Sequence, residues 1–164
     1  MRAYGHFIGG KAVAGTSGRT APVWQPMTGE QVATVALATA ADVRAAVENA
    51  KAAQPEWAAV NPQRRARVLM KFLDICNARA DEIADRLARE HGKTVLDARG
   101  DLQRGLEVIE FATGAPHMLK GEYTTDAGPG IDVYSMRQPL GVVAGISPFN
   151  FPAMIPLWMC GPAI

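Results

Sequence analysis

The side chain best suited to chemistry is Asn150, which lies in the segment Ser147-Pro148-Phe149-Asn150-Phe151-Pro152. The two prolines restrict their own backbone angles and those of the residues before them, so the segment should be rigid. An amide N–H held in a rigid, dry turn could donate a hydrogen bond to an oxygen that gains negative charge during a reaction. Asparagine is also common in turns for local reasons. The residue types leave both interpretations open.

Arg104 is the charged side chain with the clearest choice of roles. It lies in the middle of a predicted helix, and Asp101 stands three residues before it. An exposed pair at this spacing is common and contributes little to stability. A guanidinium group can instead bind a carboxylate through two parallel hydrogen bonds. The sequence therefore allows a surface ion pair or a site for a substrate carboxylate.

Other kinds of site find little support. His6, His91 and His117 lack the close spacing of zinc ligands, so no metal site is expected. Cys76 and Cys160 lie in apolar patterns without a basic neighbour or helix start that would lower a thiol pKa. We expect both to be buried free thiols. A nucleophile elbow, a Walker loop and the three-glycine Rossmann fingerprint are absent.

Composition narrows the class of protein. The 164 residues are 48% hydrophobic and 20% charged, which is ordinary for a globular chain. A net charge of +1 gives no surface for polyanions, so nucleic acid is not an expected partner. The amino terminus has no continuous apolar segment of the secretory type. A cytoplasmic enzyme is expected.

The last 27 residues, Gln138 to Ile164, carry no charge. A run of this length could span a membrane. Five prolines and three glycines interrupt it, however, and each interior proline costs a helix about 3 kcal/mol. The pattern predicts a buried strand over 140–146, then a turn and a buried helix, and no membrane contact.

Turn and cap residues divide the rest of the chain. Gly9-Gly10 predicts a hairpin, and residues 31–38 a strand. Thr39 with Asp42 predicts the start of a helix that Pro55 ends or kinks. Further helices should begin at Asn61-Pro62, end at His91-Gly92, and cover 96–111.

The helix over 96–111 should bury Leu102, Leu106 and Ile109, with Asp97, Asp101, Arg104 and Val108 on the opposite side. A polar loop over 121–130 and a strand over 131–137 should follow. Strands, then a helical layer, then an apolar strand and a helix favour an α/β fold.

A family resemblance adds to this interpretation. The segment Gln138 to Pro152 resembles the first cofactor-domain strand and the following loop of the aldehyde dehydrogenase superfamily, where most members carry Trp in place of Phe149. One branch of the superfamily, the CoA-acylating methylmalonate-semialdehyde dehydrogenases, resembles this chain more closely. The resemblance lies in Phe149 and in the sequences of residues 116–122, 130–135 and 153–159. The similarity extends from Phe7 to the end of the chain.

The resemblance implies a doubly wound NAD-binding domain with a helical layer, a catalytic domain and a β-arm, assembled as a homotetramer. Residues 1–121 would be the amino-terminal part of the cofactor domain and 122–138 part of the β-arm. Residues 139–164 would be the first Rossmann strand, the loop and the start of a helix.

The resemblance also implies roles for single residues. Asn150 would help to hold the oxyanion formed when a cysteine thiolate attacks an aldehyde. Arg104 would hold the carboxylate of a semialdehyde substrate. Ser147, Pro148 and Phe149 would line the nicotinamide-ribose end of NAD. Hydride transfer, loss of carbon dioxide and transfer to coenzyme A would give propionyl-CoA or acetyl-CoA.

The family's catalytic cysteine has no counterpart in this sequence, because neither Cys76 nor Cys160 matches its context. The chain is therefore expected to be the amino-terminal third of such an enzyme and to be inactive alone. Two alternatives stay open. One is a hydrolytic aldehyde dehydrogenase, and the other is a non-catalytic domain that binds a partner or nucleotide.

Overall fold

The computed structural model describes all residues from Met1 to Ile164 and places a group of short strands before a layer of helices. The strands are β1 (Arg2–Tyr4), β2 (His6–Ile8), β3 (Lys11–Val13), β4 (Thr20–Gln25), β5 (Glu30–Ala36), β6 (Tyr123–Gly128) and β7 (Ile131–Tyr134). The helices are α1 (Ala40–Ala59), α2 (Pro62–Ala78), α3 (Ala80–His91), α4 (Val95–Thr113), α5 (Ala115–Met118) and α6 (Met154–Ala163). The mixed fold predicted from the sequence is confirmed.

The amino-terminal strands form two small sheets. Strands β2 and β3 pair antiparallel, and Gly9 and Gly10 between them have φ angles of 61° and 76°. Both angles favour glycine, which confirms the predicted hairpin. Strand β5 lies between β1, which is parallel to it, and β4, which is antiparallel.

Helix α1 begins at a complete capping box. The Thr39 hydroxyl accepts a hydrogen bond from the Asp42 amide, and the Asp42 carboxylate accepts one from the Thr39 amide. The predicted start is therefore confirmed, but the helix does not end at Pro55, which was one of the two predicted effects of that proline. The helix continues through Pro55 to Ala59. The Lys51 carbonyl, which Pro55 cannot serve, belongs to an exposed residue that water can reach.

The core lies among α2, α3 and α4. Leu102, Leu106 and Ile109 are buried, as the helical spacing predicted. They pack with buried residues of α2, Leu69 and Cys76. The predicted caps at Asn61 and Gly92 are also present, since Asn61 accepts from the Gln63 amide and Gly92 has a φ of 86°.

Helix α6 packs closely on α4 because glycines stand at the contact. A Cβ at Gly105 would lie 2.6 Å from Leu157 Cδ1 and 3.1 Å from Met154 Cα. A Cβ at Gly161, on α6, would lie 2.8 Å from Ile109 Cδ1. The two helix backbones therefore approach each other where side chains are missing.

Three sequence predictions outside the core are wrong. Residues 140–146 form no strand, and Leu140 and Ile146 are 94% and 93% exposed. A strand requires a hydrogen-bonded neighbour, and no strand of this chain lies beside the segment. Residues 123–128 are strand β6, paired with β7, and not a loop. Cys160 is exposed, whereas Cys76 is buried as predicted.

The helices give no evidence of a membrane span, because none of them combines sufficient length with sufficient apolar character.

We predict that Asp42→Asn reduces stability in a pH-dependent manner. Hydrogen bonds from the Thr39 amide, the Thr16 hydroxyl and the Thr39 hydroxyl lower the Asp42 pKa to about 2. A lowered carboxyl pKa stabilises the fold above its unfolded value, and this contribution disappears as pH falls through the folded value. The difference in urea midpoint between wild type and variant should be largest above pH ~4 and shrink towards pH ~2. Glu48→Gln, on the exposed side of α1, should show no such dependence.

We predict opposite effects from one substitution at two positions of α4. Gly105→Ala should destabilise the chain by about 1–3 kcal/mol, because its methyl group forces α6 away. Gly100→Ala should be neutral or stabilising by up to about 1 kcal/mol, since nothing lies within 4 Å of its Cβ position. Urea unfolding measures both, and equal effects would contradict the close α4–α6 packing.

Candidate functional site

The segment that carries the predicted site residues is attached to the helical layer through one buried ion pair. Lys93 lies in the short connection between α3 and α4, and Asp101 lies two turns into α4. The Lys93 ammonium is 3.0 Å from Asp101 Oδ2, and the side chains are 7% and 0% exposed. Asp97, which is exposed on α4, also contacts the ammonium at 3.2 Å.

Asp101 joins this ion pair to the start of α6. Its second oxygen, Oδ1, accepts a hydrogen bond of 2.7 Å from the Met154 backbone amide. That amide belongs to the first turn of α6, where no intrahelical acceptor is available. The carboxylate thus provides a partner for an amide at a helix start, where negative charge is favoured.

The burial of Asp101 corrects the prediction that it lies on the outer side of α4. The helix buries two stripes, and only one of them is apolar. Leu102, Leu106 and Ile109 pack with α2, and Leu157 of α6 packs against them as well. Asp101 and Gly105, four residues apart, contact the first turn of α6. A polar residue and a glycine add nothing to a hydrophobic pattern, so the sequence does not reveal this second buried stripe.

Lys93 and His91 also contact the turn before α6. The Lys93 ammonium donates to the Asn150 backbone carbonyl at 3.3 Å and lies 4.8 Å from the centre of the Phe151 ring. The His91 ring stacks on Phe149 with centroids 4.9 Å apart. Each of the three consecutive residues Phe149, Asn150 and Phe151 therefore contacts either the last residue of α3 or the connection that follows it.

Charge around Lys93 determines its protonation. Burial of the amine acts to lower its pKa, but hydrogen bonds and charges from Asp101 and Asp97 outweigh this and raise the pKa above the ordinary value. The side chain is therefore a cation at neutral pH. Burial likewise raises the pKa of the Cys76 thiol, which makes it a poor nucleophile.

The predicted site residues lie on two neighbouring elements. Ser147, Pro148, Phe149 and Asn150 lie in the turn before α6, and all four are exposed. The Asn150 side chain is thus not in the dry environment that we expected from its flanking residues. Within this chain nothing covers the turn on its outer side.

Arg104 lies on α4, one turn after Asp101, and its side chain is exposed. Of the two alternatives that the sequence left open for Arg104, the ion pair with Asp101 does not form, because the Asp101 carboxylate bonds to Lys93 and Met154. The Arg104 carbonyl accepts a hydrogen bond of 3.1 Å from the Trp158 indole N–H of α6. The structure therefore places Arg104 beside the α4–α6 contact, with a free guanidinium group that forms no hydrogen bond with Asn150.

The turn suits the neutral end of a nicotinamide cofactor better than its diphosphate. No cation occurs between Gln138 and Ile164, so the segment offers no charge to a phosphate. Ser147 supplies a hydroxyl that can bind a ribose or amide group. Phe149 uses one ring face on His91 and remains 66% exposed.

Sequence reasoning missed Lys93, His91 and Trp158. One signal was available for Lys93, because Lys93, Asp97 and Asp101 follow a four-residue spacing that brings side chains together on a helix. No spacing could reveal the contacts of His91 and Trp158 with residues more than 50 positions away.

Comparison with known proteins gives a consistent result. The family model described as "Aldehyde dehydrogenase family" matches residues 13–164. A malonate-semialdehyde dehydrogenase of Pseudomonas aeruginosa is 48% identical over 94% of this chain and 31% of its own length. The chain thus spans about a third of the length of the curated relatives it matches.

Solved structures agree with the sequence comparison. A structure from Sinorhizobium meliloti 1021, described as a "putative methylmalonate-semialdehyde dehydrogenase" complexed with NAD, is 63% identical, with a TM-score of 0.96 over 99% of this chain and 33% of its own. A methylmalonate-semialdehyde dehydrogenase from Oceanimonas doudoroffii is 47% identical, with a TM-score of 0.92 over 96% of this chain and 32% of its own.

Proposed function

The chain belongs to the aldehyde dehydrogenase family, and we propose that the protein containing these 164 residues is a CoA-acylating semialdehyde dehydrogenase. It would oxidise malonate or methylmalonate semialdehyde with NAD, lose carbon dioxide and form acetyl-CoA or propionyl-CoA. The observation that carries the proposal is the 63% identity, over 99% of this chain, with the Sinorhizobium meliloti protein that was solved with NAD.

We propose that exposed groups of the turn and of α4 bind opposite ends of the substrate. The Arg104 guanidinium would bind the carboxylate that distinguishes a semialdehyde from a simple aldehyde. The Asn150 amide would donate to the aldehyde oxygen as it becomes negative after attack by a thiolate. Neither cysteine of this chain lies in the turn, so the thiolate would come from another part of the protein.

The same turn would hold part of the cofactor. Ser147, Pro148 and Phe149 would contact the nicotinamide-ribose end, in line with their neutral character and exposure. When bound, NAD supplies the hydride acceptor. The contribution of this chain is to place the Asn150 amide beside the reacting carbonyl.

We also propose a domain division and an assembly. Residues 1–121 and 139–164 would belong to the cofactor domain, and 122–138 to an arm. The hairpin β6–β7 forms its own sheet and leaves Tyr123, Val133 and Tyr134 exposed on 62%, 52% and 65% of their surfaces. Such surface suits contact with other subunits, and a homotetramer is the assembly that we propose.

The products of the full-length protein test the proposed reaction. With malonate semialdehyde, NAD and coenzyme A, the main product should be acetyl-CoA, measured by liquid chromatography. Free acid formed equally well without coenzyme A would instead support a hydrolytic aldehyde dehydrogenase. Absence of NADH formation with any aldehyde would favour a non-catalytic role.

We predict that Arg104→Leu impairs only substrates with a carboxylate. For malonate semialdehyde, kcat/KM should fall about 100-fold or more, since a charged partner is lost. For propanal it should change less than about threefold. Arg99→Leu on the same helix is the control, because Arg99 pairs only with the exposed Asp81. An equal loss for both aldehydes would contradict carboxylate binding by Arg104.

We predict that Asn150→Ala lowers the rate of the chemical step about 100- to 1000-fold, the usual effect of removing one oxyanion donor. The KM for NAD should stay within about threefold of the wild-type value, since the role assigned to Asn150 is with the reacting carbonyl. Single-turnover NADH formation measures the first quantity. A rate close to wild type would contradict the role.

A further inference from the structure

Every donor and acceptor of the buried Lys93–Asp101 ion pair has a hydrogen-bond partner, and these partners include groups in the turn before α6 and at its start. Lys93 has three N–H donors, and it has three oxygen partners: Asp101 Oδ2 at 3.0 Å, Asp97 Oδ2 at 3.2 Å and the Asn150 carbonyl at 3.3 Å. Asp101 uses its other oxygen on the Met154 amide. Neither charge lacks a partner.

A buried ion pair of this kind rarely exceeds a well-packed apolar pair in stability. Here the ion pair fixes the position of the turn before α6, because it binds that turn at two points. Lys93 holds the carbonyl of Asn150, and Asp101 holds the amide of Met154. Residues 150–154 are therefore fixed at both ends by the two halves of one ion pair.

The hold on Asn150 has no substitute in this chain. Among residues 138–150, the only hydrogen bond is the one that Lys93 donates to the Asn150 carbonyl. On either side of Asn150, Phe149 stacks on His91 at the end of α3 and Phe151 lies beside the Lys93 ammonium. Loss of the ammonium would remove the hydrogen bond to the Asn150 carbonyl and the contact with Phe151, and only the stacking of Phe149 on His91 would remain.

We propose that Lys93 is a positioning residue, which fixes the main chain of Asn150 so that its amide stands where the aldehyde oxygen becomes negative. This inference rests on the proposed function, because it assigns Lys93 a part in the same reaction. Lys93 itself would not touch the substrate. It acts through Asn150, and its loss should weaken the chemical step more than substrate binding.

The variants must distinguish a loss of Asn150 positioning from the destabilisation that a single unpaired buried charge would cause. Lys93→Met alone would leave the buried Asp101 carboxylate without its main partner, and the protein could fail to fold. The double variant Lys93→Met with Asp101→Asn removes both charges. It keeps an amide oxygen at position 101 for the Met154 N–H. Lys71→Met, at an exposed position of α2, is the control for the loss of a lysine.

The readout is a double-mutant cycle with Asn150→Ala in the full-length enzyme, measured as single-turnover NADH formation. The charge-free double variant should fold, with a melting temperature close to wild type, and should slow the step about 10- to 100-fold with little change in aldehyde KM. In the Asn150→Ala background the same change should cost less than about threefold, because the two residues act as one unit. The single variant Lys93→Arg, which keeps the positive charge, should form NADH faster than the charge-free double variant but more slowly than wild type.

Three results would overturn the inference. They are an undiminished rate in the charge-free variant, losses that multiply with those of Asn150→Ala, and a charge-free variant that cannot fold even with Asn at position 101. An active wild type with any of these results leaves the proposed function intact. A wild type that forms no NADH from aldehydes would overturn the proposed function and this inference together.

Discussion

The contact between Lys93 and Asp101 is the interaction on which the arrangement of the carboxyl-terminal half depends. Two opposite charges are removed from water at the point where α3, α4 and α6 meet. The cost of burying them is offset only if every donor and acceptor has a partner, and here each one does. Because the partners include backbone groups on both sides of the turn, a side-chain interaction determines the path of the main chain.

Helix α4 makes this possible because it serves two neighbours with different chemistry. Toward α2 and α3 it presents Leu102, Leu106 and Ile109, which form an apolar core that Leu157 of α6 also joins. Toward α6 it presents Asp101 and Gly105, which offer a hydrogen-bond acceptor and an open space. The second side fixes both the distance and the axial position of α6, and with it the turn that leads into the helix.

The parts of the fold governed by local interactions could be predicted from the sequence. Capping at Thr39 and Asn61, the turn at Gly9-Gly10 and the apolar stripe of α4 depend on residues close together in the chain. Two of the predictions that were wrong depend on distant partners. Whether 140–146 pairs as a strand is decided by neighbours in space, and the burial of Asp101 by Lys93 and Met154.

The candidate site divides in the same way. The chemical groups Asn150 and Arg104 could be chosen from residue type, spacing and family resemblance. What holds the turn could not, because Lys93 lies 57 positions before Asn150 and contacts its carbonyl, which every residue type possesses. A hydrogen bond to a backbone carbonyl therefore cannot be predicted from the type of the residue that accepts it.

The raised pKa of Lys93 has one more chemical consequence. An ammonium ion has no lone pair, so it cannot attack an electrophilic carbon. In the reaction that we propose, an acyl thioester would form near this turn, and a neutral amine there would be open to acylation. Because all three N–H groups of Lys93 are engaged with oxygen atoms, this lysine stays chemically inert while it lies next to the turn.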